Sequence, residues 1–152
     1  MKVLITNGDL CVACYLCEEV CSHAWFKQVD RTKSSIRITA LGDAEVAMAV
    51  CSQCGECIDV CPTGAISRDK TGVVRIDKKL CVGCLSCVGF CPTLTMYYHQ
   101  DQLEPFKCIS CGICVKECPA GALSIEIIED APLTVTERRL QAVPEHQRSG
   151  RR

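Results

Sequence analysis

The chain has few of the residues on which an ordinary hydrophobic core depends. Its 152 residues include one Trp, three Tyr and three Phe, and without cysteine its apolar share falls to about 37%. No apolar run approaches the ~18 residues of a membrane-spanning helix, and the formal net charge of -1 lacks the basic excess of nucleic-acid-binding proteins. The first residues carry one basic side chain and a short apolar run, which predicts neither a signal peptide nor a lipidation site. We therefore expect no membrane span, no nucleic acid as partner and a reducing, cytoplasmic location.

Motifs for substrate chemistry are missing as well. The sequence has no G-x-G-x-x-G turn, no P-loop and no Ser-His-Asp candidate set. Every cysteine belongs to a repeated motif of another kind, so none is left over as a nucleophile. These absences predict a chain without catalytic residues.

Cysteine is the residue that the chain has in excess, with 16 copies. They form four C-x2-C-x2-C-x3-C motifs: Cys11, Cys14, Cys17 and Cys21; Cys51, Cys54, Cys57 and Cys61; Cys81, Cys84, Cys87 and Cys91; Cys108, Cys111, Cys114 and Cys118. A proline follows the fourth cysteine of the last three motifs, whereas Ser22 follows that of the first. This spacing is the signature of bacterial [4Fe–4S] sites, in which the fourth cysteine of each motif ligates the other cluster of a pair.

The spacing has a geometric reason. Three thiolates two residues apart allow a tight loop to wrap one corner of a cubane, with its backbone N–H groups turned toward sulfur. Gly55, Gly83 and Gly112 lie inside these loops, where the missing Cβ permits a close backbone approach. The fourth cysteine follows about one helical turn later and points away, until proline ends the turn. In the first motif, Ser22 predicts a helix that continues further.

Two other readings of the cysteines remain as alternatives. Four-cysteine zinc sites also use C-x2-C pairs, but zinc ribbons take two separated pairs and have no use for a third cysteine at the next step. A disulfide framework needs an oxidising compartment and would not repeat one spacing four times. Iron–sulfur clusters are therefore favoured over zinc or metal storage, and over disulfides.

Several short strands are predicted between and around the motifs. Alternation predicts strands at residues 2–6 and 123–128, a hairpin of residues 35–41 and 44–50 about Gly42-Asp43, and a hairpin between motifs two and three with its turn at 70–72. Only the gap between motifs two and three holds a hairpin of the kind that separates motifs in two-cluster ferredoxins. The terminal strands occupy the places that pair in such a fold.

Here the chain resembles bacterial two-cluster ferredoxins, with Cys-Pro-Thr-Gly-Ala-Ile at 61–66 as a typical phrase. Over residues 1–130 it is similar to four-cluster iron–sulfur subunits of oxidoreductases. Such subunits occur in formate dehydrogenases, membrane hydrogenases, carbon monoxide dehydrogenase systems, dimethyl sulfoxide reductase-type enzymes and tungsten aldehyde oxidoreductases. The resemblance implies an α+β fold of two nested ferredoxin-like units with short β-hairpins and short helices. The units are an outer one (1–21 and 92–130), a bridging hairpin (22–50), an inner one (51–91) and a C-terminal tail (131–152).

The resemblance also implies four ligand sets, which we number by the motif that supplies three of the cysteines. Set one is Cys11, Cys14, Cys17 and Cys118; set two is Cys51, Cys54, Cys57 and Cys91; set three is Cys81, Cys84, Cys87 and Cys61; set four is Cys108, Cys111, Cys114 and Cys21. A tandem scheme, which pairs motif one with two and three with four, keeps every ligand but exchanges the fourth cysteines. Nesting is favoured because only the central gap holds a ferredoxin hairpin.

By the same resemblance, four [4Fe-4S] clusters would make the chain a non-catalytic electron-transfer subunit in anaerobic metabolism. Its partners would be a catalytic subunit of a molybdenum enzyme, tungsten enzyme or hydrogenase, and a second electron carrier or flavin subunit. A free polyferredoxin shuttle is the alternative, and metal storage a weaker one. Four clusters favour the subunit, because each added site extends the reach of a wire.

Three remaining features permit more than one interpretation. Trp25 and Phe26 form either a docking patch or, as we favour, a cover over a cluster. The histidines at 23, 99 and 146 are expected in surface or packing roles, since each cubane already has four cysteines. The tail of residues 131–152 carries five Arg against two Glu, which makes it either a solvated terminus or a basic arm. Such an arm could dock on an acidic partner or on a second copy of this chain, whose head-to-tail contacts would stack copies into a wire.

Overall fold

The computed structural model describes residues 1–42 and 45–129. Over these residues the chain forms six short strands and four α-helices. In chain order they are β1 (Lys2–Thr6), α1 (Leu16–Phe26), β2 (Ile36–Ala40), β3 (Val46–Val50), α2 (Glu56–Asp59), β4 (Ile66–Arg68), β5 (Val74–Ile76), α3 (Ser86–Gly89), α4 (Ile113–Glu117) and β6 (Leu123–Ile127). The tail at 131–152 and residue 43 of the Gly42-Asp43 turn lie outside the described residues.

The strands form three separate two-stranded antiparallel sheets. β1 pairs with β6, so that Lys2 lies opposite Ile127; β2 pairs with β3, and β4 with β5. Each strand follows from the alternation of apolar residues, and the turn of the β4–β5 hairpin falls at residues 70–72 as predicted. The predicted α+β class, with short hairpins and short helices, is confirmed.

The pairing of β1 with β6 joins the beginning of the chain to its last described strand. The Met1 carbonyl accepts a hydrogen bond from the Ile128 N–H at 2.9 Å. Helix α1 of the first motif packs against α4 of the fourth, and α2 of the second against α3 of the third. The β4–β5 hairpin lies between motifs two and three. The helix contacts therefore join motif one to motif four and motif two to motif three.

The core consists of two small groups of buried side chains. One contains Leu4 of β1, Ile36 of β2 and Leu123 of β6. The other contains Val74 of β5 and Met96. Cysteines of the motifs belong to both groups. Since so much of each core is thiol, whatever these cysteines bind becomes part of the packing.

Helix α1 is longer than the other three, as the missing proline predicts. Ser22 is fully buried, and its hydroxyl donates to the Glu19 carbonyl and accepts from the Asp30 N–H. Lys27 ends the helix in a left-handed conformation with φ of +59°. Among the described residues, no helix has the length and apolar character to cross a membrane.

Aromatic residues brace the segment between motifs three and four. Phe106 packs edge-on against Phe26, with ring centroids 5.0 Å apart, and pairs with Tyr97 in an isolated bridge. Strand pairing stops there because the chain turns back between His99 and Gln102. In this turn the Gln102 N–H donates a hydrogen bond to the His99 carbonyl. Packing therefore fixes this segment more than strand pairing does.

Candidate metal centres

The four cysteine loops share one backbone shape. In each, the residues directly before and directly after the second cysteine are left-handed, with φ between +50° and +92°. They are Ala13 and Tyr15, Gln53 and Gly55, Gly83 and Leu85, and Ser110 and Gly112. Closely spaced left-handed residues turn neighbouring N–H groups into one concavity, a form typical of phosphate and iron–sulfur sites. The loops thus have the shape that an anionic cluster requires.

Five of these eight residues are not glycine. For a residue with a side chain, the left-handed backbone conformation costs on the order of 1–3 kcal/mol. Such strain persists where the surrounding structure or a bound group imposes it. Of these eight positions, the sequence alone indicated a special backbone conformation only at the glycines 55, 83 and 112. The non-glycine positions carried no signal of their own.

Backbone N–H groups also donate to cysteine sulfur. Three such bonds, each at 3.4 Å, run from Gln53 to Cys51, from Ser110 to Cys108 and from Ser35 to Cys21. In the first two, the donor is the left-handed residue before the second cysteine. Donors aimed at sulfur stabilise thiolate, the form that binds iron.

The third cysteine of every motif is buried. Burial is the main cause that raises the pKa of Cys17, Cys57 and Cys114 to about 12 and that of Cys87 to about 11. A thiol in such surroundings stays protonated until a positive ion binds it, since coordination deprotonates it. Iron binding at these positions therefore releases protons.

The fourth cysteines of motifs two and three have the opposite tendency. Burial acts to raise the pKa of Cys61, but hydrogen bonds from the Thr63 hydroxyl and from backbone N–H groups two, four and five residues further on lower it overall. Cys91 has the same pattern, with Thr93 as the hydroxyl donor. In these two motifs, the fourth cysteine is followed by Pro-Thr and accepts hydrogen bonds from several donors that follow it in the chain.

The structure gathers the cysteines into groups that mix motifs. One cavity is lined by Cys51, Cys54, Cys57 and Cys91; a second by Cys61, Cys81, Cys84 and Cys87; a third by Cys21, Cys108, Cys111 and Cys114. Each cavity takes three cysteines from one motif and the fourth from its nested partner. These groups have the same members as the expected sets two, three and four.

Three cysteines of the expected set one belong to the outer core. Cys11 and Cys118 pack against the buried group that contains Cys17. Burial and then the charge of Glu18 are the main causes of the raised pKa of Cys17, and the charges of Cys11 and Cys14 add to it. Cys11 and Cys14 therefore lie near Cys17, and Cys118 packs against the same buried group as Cys11.

The zinc alternative requires four donors around one ion. Across residues 1–42 and 45–129, no three His, Cys, Asp or Glu side chains converge closely enough to hold a single metal ion. Three of the four groups instead line a cavity. Cavities walled by thiols, anion-binding loops and N–H donors to sulfur together fit a cluster.

Trp25 and Phe26 line the cavity of Cys21 and the fourth motif. Trp25 remains half exposed, while Phe26 is held by Phe106. This placement agrees with a cover between the cavity and solvent. His23 is exposed and His99 faces Asp101 at 3.5 Å, and neither lines any of these cavities.

Sequence reasoning missed a buried polar network between motifs two and four. The fully buried Gln53 donates from Nε2 to the Cys108 carbonyl at 2.9 Å and to Ser110 Oγ at 3.3 Å. Its Oε1 accepts from the Val74 N–H at 3.0 Å and from Lys107 Nζ at 2.8 Å. The network ties the second loop, the inner hairpin and the fourth loop into one unit.

Gly83 offers a direct test of the loop shape. It has φ of +67°, and an added Cβ would lie 2.8 Å from the Leu103 carbonyl oxygen. We expect Gly83→Ala to destabilise the loop by about 1–2 kcal/mol from the left-handed conformation alone. The temperature at which the anaerobic protein loses its visible absorption should therefore fall.

Gly89→Ala is the matched control, because nothing lies within 4 Å of its added Cβ and Gly89 belongs to α3 of the same motif. It should leave that temperature unchanged or raise it slightly. If the two variants lost their visible absorption at the same temperature, the proposed strain in the loop at Gly83 would be wrong.

Known proteins share these motifs. The family described as 4Fe-4S dicluster domain matches residues 10–65 and again 50–95, and a second family of that description matches residues 73–119.

Three curated relatives come from Escherichia coli (strain K12). The chain is 32% identical over 147 residues to the uncharacterized ferredoxin-like protein YdhX, covering 85% of this chain and 66% of that protein. It is 32% identical over 136 residues to formate hydrogenlyase subunit 2 (88% and 52%), and 31% identical over 138 residues to the electron transport protein HydN (83% and 61%). The chain thus spans between half and two thirds of the length of these relatives.

The matches run through all four motifs, and the loops fit the cofactor that the family description names. The cofactor of these motifs is therefore the [4Fe-4S] cluster. The chain belongs to the family of 4Fe-4S dicluster, ferredoxin-type proteins.

Proposed function

We propose that this chain is a non-catalytic electron relay that holds four [4Fe-4S] clusters. The observation that carries the proposal is the grouping of cysteines around three cavities, each with three thiols of one motif and the fourth of its nested partner. We assign sets one to four as the ligands, with the outer unit at 1–21 and 92–130, the bridge at 22–50 and the inner unit at 51–91. The tandem scheme would require Cys61 to lie with the first motif, whereas it lines the cavity of the third.

A bound [4Fe-4S] cluster accepts or releases one electron at a time. The protein's own task is to hold the thiolates, aim N–H groups at sulfur and limit the access of water. Full cysteine ligation leaves no coordination site for substrate, and no catalytic motif was found elsewhere in the sequence. These features favour transfer of electrons over chemistry on a substrate.

The four sets follow one another in a row. The charges that raise the pKa of Cys114 in set four, after burial, include that of Cys17 in set one. In the same way Cys51 of set two acts on Cys108 of set four, and Cys87 of set three acts on Cys57 of set two. These three interactions fit the order one, four, two, three. A row of one-electron sites is the arrangement that a relay between two partners uses.

The partners that fit this function are a catalytic oxidoreductase subunit and a second electron carrier or flavin subunit. Two relatives carry names of this kind, formate hydrogenlyase subunit 2 and electron transport protein HydN. A molybdenum enzyme, a tungsten enzyme or a hydrogenase is the catalytic type that we propose, in the cytoplasm. A free shuttle needs only one or two clusters, which makes the relay subunit the preferred form.

Native complex size tests the subunit proposal. In anaerobic size-exclusion chromatography of cell extract, we expect the chain to co-elute with a larger enzyme. The fractions should be brown and should bleach with dithionite, because reduction lowers the visible absorption of [4Fe-4S] clusters. Elution at the monomer mass of 16.6 kDa would instead favour the free shuttle, and colourless protein would favour metal storage.

A further inference from the structure

One buried lysine lies between two cluster cavities. Lys107 is 6% exposed and lines both the cavity of set two and that of set four. In the row of sets these are the two middle positions. Its ammonium is therefore placed where a single charge acts on both inner positions of the relay.

Lys107 forms no close ion pair with a described carboxylate. The four ion pairs within residues 1–42 and 45–129 do not include it. Its ammonium donates to neutral oxygens, Gln53 Oε1 at 2.8 Å and the Cys108 carbonyl at 2.9 Å. A buried ammonium without a counter-charge is unfavourable, so such groups are normally paired. The anionic groups that line the two cavities with it are the cysteine thiolates and the carboxylate of Glu56, and a bound cluster would add its own negative charge.

Gln53 holds this ammonium in place. The Gln53 side chain is fully buried, and its amide is fixed by the Val74 N–H, the Cys108 carbonyl and Ser110 Oγ. Its carbonyl oxygen therefore faces Lys107 in one orientation. The lysine is positioned by loops of both units, and its location depends on their association.

We propose that Lys107 is the shared counter-ion of the clusters in sets two and four and raises the reduction potentials of both. The inference rests on the proposed relay function. Reduction of a cluster by a one-electron redox partner adds one electron and one negative charge, with no bond formed or broken. A nearby positive charge stabilises that reduced state more than the oxidised one.

Set one has a buried carboxylate, that of Glu18, beside one of its cysteines. Glu18 is 2% exposed, directly follows Cys17, and acts against the thiolate form of that cysteine. Its carboxylate is paired with Arg31 at 2.6 Å, which offsets part of its charge. The cavity of set three is not lined by Lys107. Lys107 thus places a positive charge beside sets two and four that does not line the cavity of set three.

Lys107→Met removes the charge and keeps a side chain of similar length. We expect unchanged iron content, with two of the four clusters harder to reduce in a potentiometric titration followed by electron paramagnetic resonance. At a fixed potential their ratio of reduced to oxidised form should fall about tenfold, a shift of about 59 mV for one electron. The other two should keep their potentials.

Lys116→Met is the matched control, because Lys116 is an exposed lysine on α4 close to the same motif. It should leave all four potentials as in the wild type. Wild-type potentials in Lys107→Met, or an equal shift of all four clusters in both variants, would overturn the inference.

Lys107→Arg covers the case in which Lys107→Met fails to assemble its clusters. Arginine retains the charge, so it should restore both the clusters and their potentials. Failure of Lys107→Arg to do so would show that shape, and not charge, is required at this position. A wild-type protein without [4Fe-4S] signals would refute the relay function itself, whereas intact clusters with unshifted potentials refute only the role of Lys107.

Discussion

Cys61→Ser should damage the cluster site of the third motif and leave that of its own motif intact. Cys61 lines the cavity of Cys81, Cys84 and Cys87, and its charge raises the pKa of Cys87 after the larger effect of burial. Loss of one ligand of four should remove that cluster or convert it to a three-iron form. The iron content would then fall by about one to four atoms of roughly sixteen.

Two further variants identify the damaged site. Electron paramagnetic resonance of Cys61→Ser should lack the same signal as Cys84→Ser, whose cysteine lines the same cavity. Cys54→Ser should lack a different signal, because Cys54 lines the cavity of Cys91. A Cys61→Ser spectrum that matched Cys54→Ser would show that each motif binds its own cluster, and crossed ligation would be wrong.

Cys118→Ser should remove the cluster of the first motif, which is the most distant effect that nesting predicts along the chain. The pairing of β1 with β6 and the packing of α1 on α4 bring the two motifs together. In the outer core, Cys11 and Cys118 pack against the buried group that contains Cys17. We expect the resonance signal that disappears to be the one that Cys14→Ser also loses.

The tandem scheme makes a different prediction for the same variant. It pairs the third motif with the fourth, so Cys118→Ser would then lose the signal of Cys84→Ser. Truncation after residue 107 should likewise spoil the first-motif cluster, although Cys11, Cys14 and Cys17 all remain. A truncated protein that kept this cluster would contradict nesting.

Local sequence patterns were sufficient for the loops and strands. The cysteine spacing indicates four equivalent loops, and the alternation in residues 2–6 and 123–128 predicts the two strands that pair as β1 and β6. The Ser22 exception predicts the longer helix α1. These features depend on neighbours within a few residues, which is why they can be read before the fold is known.

The buried network could not be predicted in this way. Lysine and glutamine side chains usually lie at the surface, and Gln53 and Lys107 are 54 residues apart in the chain. Their burial results from the approach of the second and fourth motifs, which is a property of the tertiary structure. The left-handed conformations of Tyr15 and Leu85 could not be predicted either, since the loop imposes them and the residue type does not.

The number of electrons that the chain accepts tests its role as a four-site relay most directly. Coulometric reduction of the anaerobically purified holoprotein, with iron and sulfide measured on the same sample, gives electrons per chain. Four fully cysteine-ligated clusters, each taking one electron, predict an uptake of about four. An uptake of about two, or none, in protein that contains its full iron would contradict the relay of four clusters.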